Sequence, residues 1–240
     1  MNIRIFCDFD GTVCEEDVGD AFFARFAPQT FSTLRLEYLD QRLPARVLFD
    51  AYARELTLPD DDALRGFCTN FAPLPDFVPF VEWCTAHDIP LCIVSDGLDA
   101  YIQEILRRCN VQVPVYANHL GRVAHPHPGE VTWHITLPWS DPECTRCGCC
   151  KRNRLMTLSP DDAMAVMIGD GVTDYCASAH ADLVFARGTL ETWCREQNIT
   201  FHSFRRFADI ERVLEAMISR ARTRTSRQAR VLRNSVWMRG

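Results

Sequence analysis

The stretch IFCDFDGTVC, residues 5–14, decides how the rest of the chain is interpreted. An apolar run typical of a buried strand ends in two acids, Asp8 and Asp10, and Gly11 and Thr12 follow. Side chains two positions apart in a strand point to the same face, so both carboxylates lie on one side if the strand continues through them. The stretch therefore predicts a buried strand that ends in paired acids.

Three further apolar runs have the length and composition of buried strands. The four predicted strands span residues 3–9, 90–96, 163–170 and 182–186. Short apolar strands that alternate with helices indicate an α/β protein with a Rossmann-like parallel sheet covered on both faces. Ligands bind beyond the carboxyl ends of such strands. Three of the runs end there in polar or acidic residues: Asp8 with Asp10, Ser95 with Asp96, and Asp170.

The segment 15–75 interrupts this alternation with helical patterns and no convincing strand. We expect a catalytic core of residues 1–14 and 76–218, and a helical cap of residues 15–75 inserted after the first strand to cover the crevice. Residues 118–150 are irregular in pattern. Residues 219–240 are rich in arginine and contain no acid, which indicates a solvated tail or frayed helix, with binding of an anionic partner as the alternative.

The composition excludes several classes of function. The 240 residues are 47% hydrophobic, which is enough for a large core, and the net charge of -6 argues against general nucleic-acid binding. No apolar run approaches the ~20 residues that span a bilayer, and the N-terminus lacks the apolar core of a signal peptide. We expect a cytoplasmic monomer or homodimer with no membrane partner. Most of the twelve cysteines stand singly in apolar surroundings, as buried reduced thiols do.

The paired acids suit phosphoryl chemistry. A carboxylate can attack phosphorus and form an acyl phosphate, which divides a difficult hydrolysis into two easier steps. Asp8 can be this nucleophile and supply one oxygen ligand to Mg²⁺. Asp10 can protonate the leaving group and later activate water, and Gly11 with Thr12 forms a tight turn suited to an open phosphate pocket. Alone the pair is weakly specific, because acids also cap helices and fill loops.

Three later motifs supply the other groups that this chemistry needs. The Ser95 hydroxyl and the amides of Asp96 and Gly97 can donate to a phosphoryl oxygen, although Ser and Asp also favour helix N-caps. Lys151 offers a compact positive charge for a transferring phosphate, and it stands out because lysine is rare in this chain.

The stretch IGDGVTD, residues 168–174, follows the third apolar run. Asp170 and Asp174 can hold Mg²⁺ directly or through water, and the neighbouring glycines allow a close approach. The alternative is an ordinary loop between a strand and a helix. The convergence of two acids and two glycines at a strand end favours the metal site.

The order DxDGT, SDG, a lone Lys and GDxxxD resembles the motif series of the haloacid dehalogenase (HAD) superfamily along nearly the whole chain. This resemblance implies a HAD-type phosphatase with Asp8 as nucleophile and Asp10 as general acid and base. It implies that Ser95 and Lys151 contact the phosphate. It also implies Mg²⁺ at Asp8, Asp170, Asp174 and the backbone carbonyl of Asp10.

The helical insert resembles the small cap of the phosphoserine-phosphatase-like branch, in which an acid at the position of Asp17 often faces the substrate; a helix N-cap is the alternative. RFAP, CGCCK and ADLVFAR…CREQN are similar to the methionine-salvage phosphatases, which hydrolyse 2-hydroxy-3-keto-5-methylthiopentenyl-1-phosphate. The substrate is thus a small-molecule phosphate ester, with phosphoserine and phosphocholine or phosphoethanolamine as alternatives. A non-catalytic binding protein of this fold is expected to have lost Asp8 or Asp10, and both are present.

The cysteine cluster before Lys151 has two interpretations. Four thiols, those of Cys144, Cys147, Cys149 and Cys150, could close a tetrahedral Zn²⁺ site. Adjacent cysteines seldom both ligate one metal, and His125, His127 or His134 could complete the site instead. The alternative is a packed, thiol-rich loop that positions Lys151.

Overall fold

The computed structural model describes residues 2–123 and 132–219 of the chain. Two sequence predictions lie outside the described residues, namely a ligand role for His125 and His127 and the arginine-rich tail beyond residue 219. In the described part of the chain, no helix combines the length and the apolar character needed to cross a membrane.

The described residues form seven strands and ten helices. The strands are β1 (Ile3–Cys7), β2 (Leu91–Leu98), β3 (Val115–Val123), β4 (Thr132–Thr136), β5 (Met164–Gly169), β6 (Leu183–Ala186) and β7 (His202–Ser203). The helices are α1 (Val18–Phe26), α2 (Pro28–Leu39), α3 (Ala45–Glu55), α4 (Asp61–Cys68), α5 (Phe77–Ala86), α6 (Asp99–Arg108), α7 (Lys151–Leu158), α8 (Tyr175–Ser178), α9 (Gly188–Glu196) and α10 (Phe207–Ser219). A 3₁₀ turn covers Val172–Asp174.

The strands form one mostly parallel sheet in the order β4-β3-β2-β1-β5-β6-β7. Strand β1 is central and pairs in parallel with β2 and β5, with Ile5 opposite Leu91 on one side and Val166 on the other. Strands β6 and β7 continue the parallel arrangement, whereas β3 and β4 are antiparallel. The predicted α/β fold is therefore confirmed.

Three strands were not predicted from the sequence. Residues 118–150 were expected to be irregular, but Val115–Val123 and Thr132–Thr136 form an antiparallel pair. Strand β3, VYANHLGRV, contains Asn, His, Gly and Arg, so it lacks the continuous apolar character of a strand that is buried on both faces. Strand β7 has only two residues, too few for a sequence pattern.

Two compact units divide the chain. Among the described residues, the first comprises 2–15, 73–94 and 151–219, and the second comprises 16–72, 95–123 and 132–150. Helices α1–α4 thus share a unit with strands β3 and β4. The predicted division into core, cap and tail draws other boundaries and stays a prediction.

The first unit is built around fully buried strands. All six residues of β5 are buried, and Ile5, Phe6 and Cys7 of β1 have no exposed surface. Apolar strands of this kind form where both faces of a parallel sheet are covered. This packing fixes the carboxyl ends of β1 and β5, from which Asp8 and Asp170 continue.

The second unit contains an aromatic core between its helices. Phe23 of α1 stacks on Tyr52 of α3 with ring centroids 3.7 Å apart, and Phe22 meets Phe67 of α4 edge-on at 5.5 Å. Aromatic pairs of these geometries contribute about 0.5–1.5 kcal/mol each beyond their burial. The predicted helical character of residues 15–75 agrees with this arrangement.

Candidate active site

Asp8 lies directly after β1 and is almost completely buried, at 5% exposure. Its backbone amide donates to the carbonyl of Ile168 at 2.9 Å, which fixes it against β5. Its carboxylate accepts the amide of Phe9 at Oδ1 over 2.7 Å and the ammonium group of Lys151 at Oδ2 over 2.7 Å. Burial raises the pKa of Asp8 well above its usual value, the charge of Asp174 raises it further, and Lys151 opposes the rise.

Lys151 begins helix α7 and points its ammonium group into this site, where the residue is only 2% exposed. Nζ lies 2.7 Å from Asp8 Oδ2, 2.6 Å from Asp174 Oδ1 and 3.0 Å from Thr173 Oγ1. Burial alone would lower the pKa of Lys151, but the charges of Asp174 and Asp8 raise it well above its usual value. The only lysine in the 240 residues is thus a fixed positive charge on the predicted nucleophile.

Asp174 is a fully buried carboxylate whose two oxygens are both engaged. Oδ1 accepts from Lys151, and Oδ2 accepts the backbone amides of Asp170 and Gly171 at 3.0 Å each. This carboxylate therefore holds the loop after β5 and the lysine in one arrangement. Of the two acids in the GDxxxD motif, Asp174 has fewer free lone pairs for a metal ion.

Asp170 is held by the turn that Gly11 and Thr12 form at the end of the DxDGT motif. The Thr12 hydroxyl donates to Asp170 Oδ1 over 2.7 Å. Gly11 adopts φ +70°, a conformation that favours glycine, and a Cβ there would lie 2.4 Å from Asp170 Oδ2. The backbone carbonyl of Asp170 accepts the amide of Leu190 at 2.9 Å. These contacts therefore connect the DxDGT turn to the carboxyl end of β5.

These residues have the donor set and charge that a divalent cation requires. Asp8, Asp170 and Asp174 each place one carboxylate oxygen within 4.8 Å of the others. The Lys151 ammonium group pairs with two of these three carboxylates, those of Asp8 and Asp174, so the three acids and the lysine together carry two negative charges when all are ionised. Burial, and then the charge of Asp174, raise the pKa values of Asp8 and Asp170, and a bound cation would favour their ionised forms. Mg²⁺ prefers such hard oxygen ligands. The residues present fit Mg²⁺.

Because the pKa of Asp170 is raised, we expect the affinity of the site for Mg²⁺ to depend on pH. Burial, and then the charge of Asp174, raise this pKa from 3.8 to about 6. Without metal, Asp170 therefore contributes stability that is fully present below pH 3.8 and is lost as the pH rises through about 6. Mg²⁺ needs the ionised form, so we expect its affinity to be about tenfold weaker at about pH 5 than at about pH 8.

Titration calorimetry with MgCl₂ at several pH values measures this effect. Asp170→Asn, which removes one titrating ligand, is the control: it should bind Mg²⁺ more weakly at every pH and keep only the pH dependence that Asp8 contributes. An affinity for Mg²⁺ that does not change over the acid range in the unmodified protein would contradict the prediction.

The close packing around Gly169 leads to a second prediction, which concerns both the free energy of unfolding and the activity. A Cβ on Gly169 would lie 2.4 Å from Asp174 Oδ2 and 2.5 Å from its Cγ. Gly169→Ala must therefore displace the carboxylate that holds Lys151, and we expect a loss of about 1–3 kcal/mol in the free energy of unfolding together with a large loss of activity.

Gly66→Ala is the matched control for this substitution. A Cβ there meets nothing within 4 Å, and Gly66 lies in the last turn of α4. This variant should gain about 0.5–1 kcal/mol and keep its activity. Urea unfolding and initial rates compare the two variants, and equal behaviour would show that Gly169 has no special role.

The SDG motif lies in the second unit, at the end of β2. The Ser95 hydroxyl is fully buried and accepts the amide of Gly97 at 2.9 Å. The Asp96 carboxylate accepts the Tyr38 hydroxyl and, over 2.8 Å, the amide of Cys149. These contacts fix the carboxyl end of β2 within the second unit. The predicted donation by Ser95, Asp96 and Gly97 to phosphate stays a prediction.

Asp17 caps helix α1 in the second unit. Its carboxylate accepts the amide of Asp20 at 2.7 Å and lies 3.4 Å from Arg35 Nη2. The capping interpretation is therefore what the structure shows, and contact with a substrate stays a prediction. Asp10 is partly exposed at the end of the first motif, and its predicted proton transfer also stays a prediction.

The zinc hypothesis finds no support in the cysteine loop. Among residues 2–123 and 132–219, the only group of three or more ligand atoms within 4.8 Å of one another belongs to Asp8, Asp170 and Asp174. All twelve cysteines are free thiols. The loop is instead held by its backbone, since the amide of Cys150 donates to Trp139 O at 2.8 Å.

The sequence analysis did not identify two residues that form hydrogen bonds with other residues of the site. Thr173 accepts from Lys151, and Arg187 donates to the backbone carbonyl of Gly11 over 2.7 Å. Arg187 directly follows the fourth apolar run, so it stands at the carboxyl end of a strand like the predicted acids. Acids were selected because they stand at the carboxyl ends of predicted strands. The same criterion applied to cations would have identified Arg187.

The parallel sheet, the buried carboxylates at its strand ends and the lysine between them form an arrangement suited to phosphoryl transfer to a carboxylate. The chain belongs to the haloacid dehalogenase-like hydrolase family, whose model matches residues 5–179. The family predicted from the motif series is confirmed.

Similar proteins carry phosphatase names. A 2-hydroxy-3-keto-5-methylthiopentenyl-1-phosphate phosphatase from Exiguobacterium sibiricum is 34% identical over 213 residues, which cover 88% of this chain and 95% of that protein. One from Bacillus cereus is 28% identical over 226 residues, 91% of this chain and 98% of that protein. A substrate-bound phosphoserine phosphatase structure has a TM-score of 0.64 at 16% identity and covers 89% of this chain and 98% of its own. That likeness shows the fold, and the chain is a phosphatase, as predicted.

Proposed function

We propose that the chain hydrolyses 2-hydroxy-3-keto-5-methylthiopentenyl-1-phosphate with Mg²⁺, through an aspartyl-phosphate at Asp8. The observation that carries the chemistry is the 2.7 Å contact between Lys151 Nζ and Asp8 Oδ2 in a buried site that also contains Asp170 and Asp174. The substrate is supported by relatives that bear its name and match over nearly their full length, one at 34% identity.

Asp8 and Asp170 are the residues that would hold Mg²⁺. Asp174, whose oxygens are engaged by Lys151 and two amides, would act on the metal through its neighbours or through water. When bound, Mg²⁺ supplies positive charge that offsets the phosphate and the carboxylates. The deficit of positive charge among these groups is the reason to expect it.

The first chemical step uses Asp8 and Asp10. A carboxylate oxygen of Asp8 forms a bond to phosphorus while the ester P–O bond breaks, and Asp10 donates its proton to the departing alcohol oxygen. Lys151 favours the ionised form of Asp8, because its charge opposes the rise in the pKa of Asp8 that burial causes. The same ammonium group stays beside the phosphoryl oxygens after transfer.

The second step regenerates the enzyme. Asp10, now ionised, takes a proton from a water molecule whose oxygen attacks the phosphorus of the aspartyl-phosphate. The bond between Asp8 and phosphorus breaks, inorganic phosphate leaves, and Asp8 is again a carboxylate paired with Lys151. The overall reaction adds one water molecule to the ester.

A substrate panel tests the proposal. The protein is stripped of metal with EDTA, and phosphate release is measured with and without added Mg²⁺ on the methionine-salvage ester, phosphoserine, phosphocholine, phosphoethanolamine and pyridoxal phosphate. We expect a kcat/KM for the methionine-salvage ester at least about 100-fold above the others. Phosphoserine as the best substrate would overturn the substrate assignment, and no Mg²⁺-dependent hydrolysis of any ester would favour a non-catalytic binding protein.

Three further features belong to the proposal. A small phosphate ester is the partner, and the net charge of -6 supports the absence of a nucleic-acid partner. A cytoplasmic location and a monomeric or homodimeric state complete it. Size-exclusion chromatography with light scattering measures the last of these.

A further inference from the structure

Arg187 joins two of the sequence motifs that form the site. It follows β6, and its guanidinium group reaches the turn after Asp10. Nε donates to Gly11 O over 2.7 Å, and Nη2 donates to Gly11 O and, over 3.2 Å, to Thr12 O. One side chain therefore satisfies two consecutive carbonyls of the DxDGT turn.

The Gly11–Thr12 turn also fixes the position of the Asp170 carboxylate. Thr12 donates its hydroxyl to Asp170 Oδ1, and Gly11 lies so close to Asp170 that no Cβ would fit. Rotation of the turn would move both contacts at once. A group that fixes the two carbonyls therefore fixes where the Asp170 oxygens lie.

Arg187 is itself anchored to the strand that carries Asp170. Its backbone amide donates to Gly169 O over 3.2 Å. Its guanidinium carbon lies 5.4 Å from the centre of the Phe204 ring, which orients the planar group. Gly188 follows at φ +58°, with its Cβ position 3.0 Å from Asp170 O. The bridge thus runs from β6 to β5 and to the turn after β1.

We propose that Arg187 is a positioning residue for the Mg²⁺ site: it clamps the Gly11–Thr12 turn so that Asp170 is held ready for the metal beside Asp8. This inference rests on the proposed Mg²⁺-dependent function. A guanidinium group can satisfy two carbonyls from one plane, whereas an ammonium group is a single point donor, so lysine does not replace it. Groups that orient metal ligands typically change metal affinity by about 10–100-fold when removed.

The test measures Mg²⁺ binding directly, without substrate. Arg187→Met and Arg187→Lys are titrated with MgCl₂ by calorimetry, and the unfolding temperature of each sample is recorded. Arg195→Met is the matched control, because Arg195 lies on α9, stacks over Phe201 at 5.4 Å and pairs with Glu191 at the surface. We expect the Mg²⁺ dissociation constant to rise at least about tenfold in Arg187→Met and to an intermediate degree in Arg187→Lys, with no change in Arg195→Met.

Each outcome is decisive. A Mg²⁺ affinity within about twofold of the unmodified protein in both Arg187 variants overturns the inference and leaves the proposed function intact. If Arg187→Met does not fold, the same criterion applies to Arg187→Lys alone. An unmodified protein that binds no Mg²⁺ overturns both the inference and the proposed cofactor. Loss of kcat in Arg187→Lys with unchanged KM and restoration by excess Mg²⁺ supports the inference.

Discussion

We expect Asp8→Asn to lower the hydrolysis rate by at least about 10⁴-fold while the protein stays folded. The amide of asparagine is a poor nucleophile, so no aspartyl-phosphate can form. Folding is retained because the substitution removes a buried charge whose desolvation raises the pKa of Asp8, and because Lys151 keeps its 2.6 Å contact with Asp174. Initial rates and thermal unfolding measure the two effects.

Asp10→Asn is the matched comparison, because it also replaces one acid by its amide in the same motif. It retains the nucleophile, so an aryl phosphate, whose leaving group needs little protonation, should still phosphorylate Asp8. Without a base for the second step the phosphorylated protein accumulates, and intact-protein mass spectrometry detects one added phosphoryl group. Phosphorylation of Asp8→Asn, or substantial turnover by it, would contradict the assignment of the nucleophile.

The second large effect is expected for Lys151→Met. Removal of the ammonium group leaves Asp8 and Asp174 buried together without their shared cation. Breaking a buried ion pair by removing one partner costs about 3–5 kcal/mol of unfolding free energy, and we expect the rate to fall by at least about 10³-fold. Without Lys151 the pKa of Asp8 loses a charge that lowers it and rises further, so the variant should lose most stability as the pH rises.

A double variant separates stability from catalysis. Lys151→Met with Asp174→Asn removes one of the two unpaired charges and should recover much of the lost unfolding free energy, while the rate stays low. Urea unfolding at several pH values and initial rates test this. If the double variant regains activity with stability, the role of Lys151 is structural and its assignment to the phosphate fails.

The chain permits a direct observation of this group. Because Lys151 is the only lysine, labelling the protein with isotopically enriched lysine gives one side-chain signal in an NMR spectrum. The charges of Asp174 and Asp8 raise the pKa of Lys151 despite its burial, so the signal should report a charged ammonium group throughout the neutral range. In Asp174→Asn the pKa should fall, since one of the two charges is gone.

The sequence was sufficient for those features that depend on local pattern. The apolar runs at 3–9 and 163–170 gave strands at Ile3–Cys7 and Met164–Gly169, because strands buried on both faces need continuous apolar sequence. Asp8 and Asp170 were selected because the carboxyl ends of neighbouring parallel strands share one edge. Strand β3 was missed for the converse reason, since its polar residues give no such run.

The partners of the site residues could not be inferred in the same way. Lys151 had the pattern of any surface lysine, and only the packing of α7 buries its ammonium group between Asp8 and Asp174. Thr12 and Asp170 are 158 residues apart, and Arg187 and Gly11 are 176 apart. No local periodicity links positions so distant, since their contact depends on which strands are neighbours.

By itself, the sequence determined a parallel α/β sheet, the acids at its strand ends and a phosphatase of the haloacid dehalogenase type. The sheet and its acids follow from the apolar runs and the residues at their ends, and the type of phosphatase follows from the resemblance of the motif series to that family. Only the tertiary structure decided that Asp174 pairs with Lys151 and that Arg187 binds the Gly11–Thr12 turn, which contacts Asp170. The physical reason is that hydrogen bonds and buried charges depend on distances of a few ångströms, which the packing of remote segments fixes.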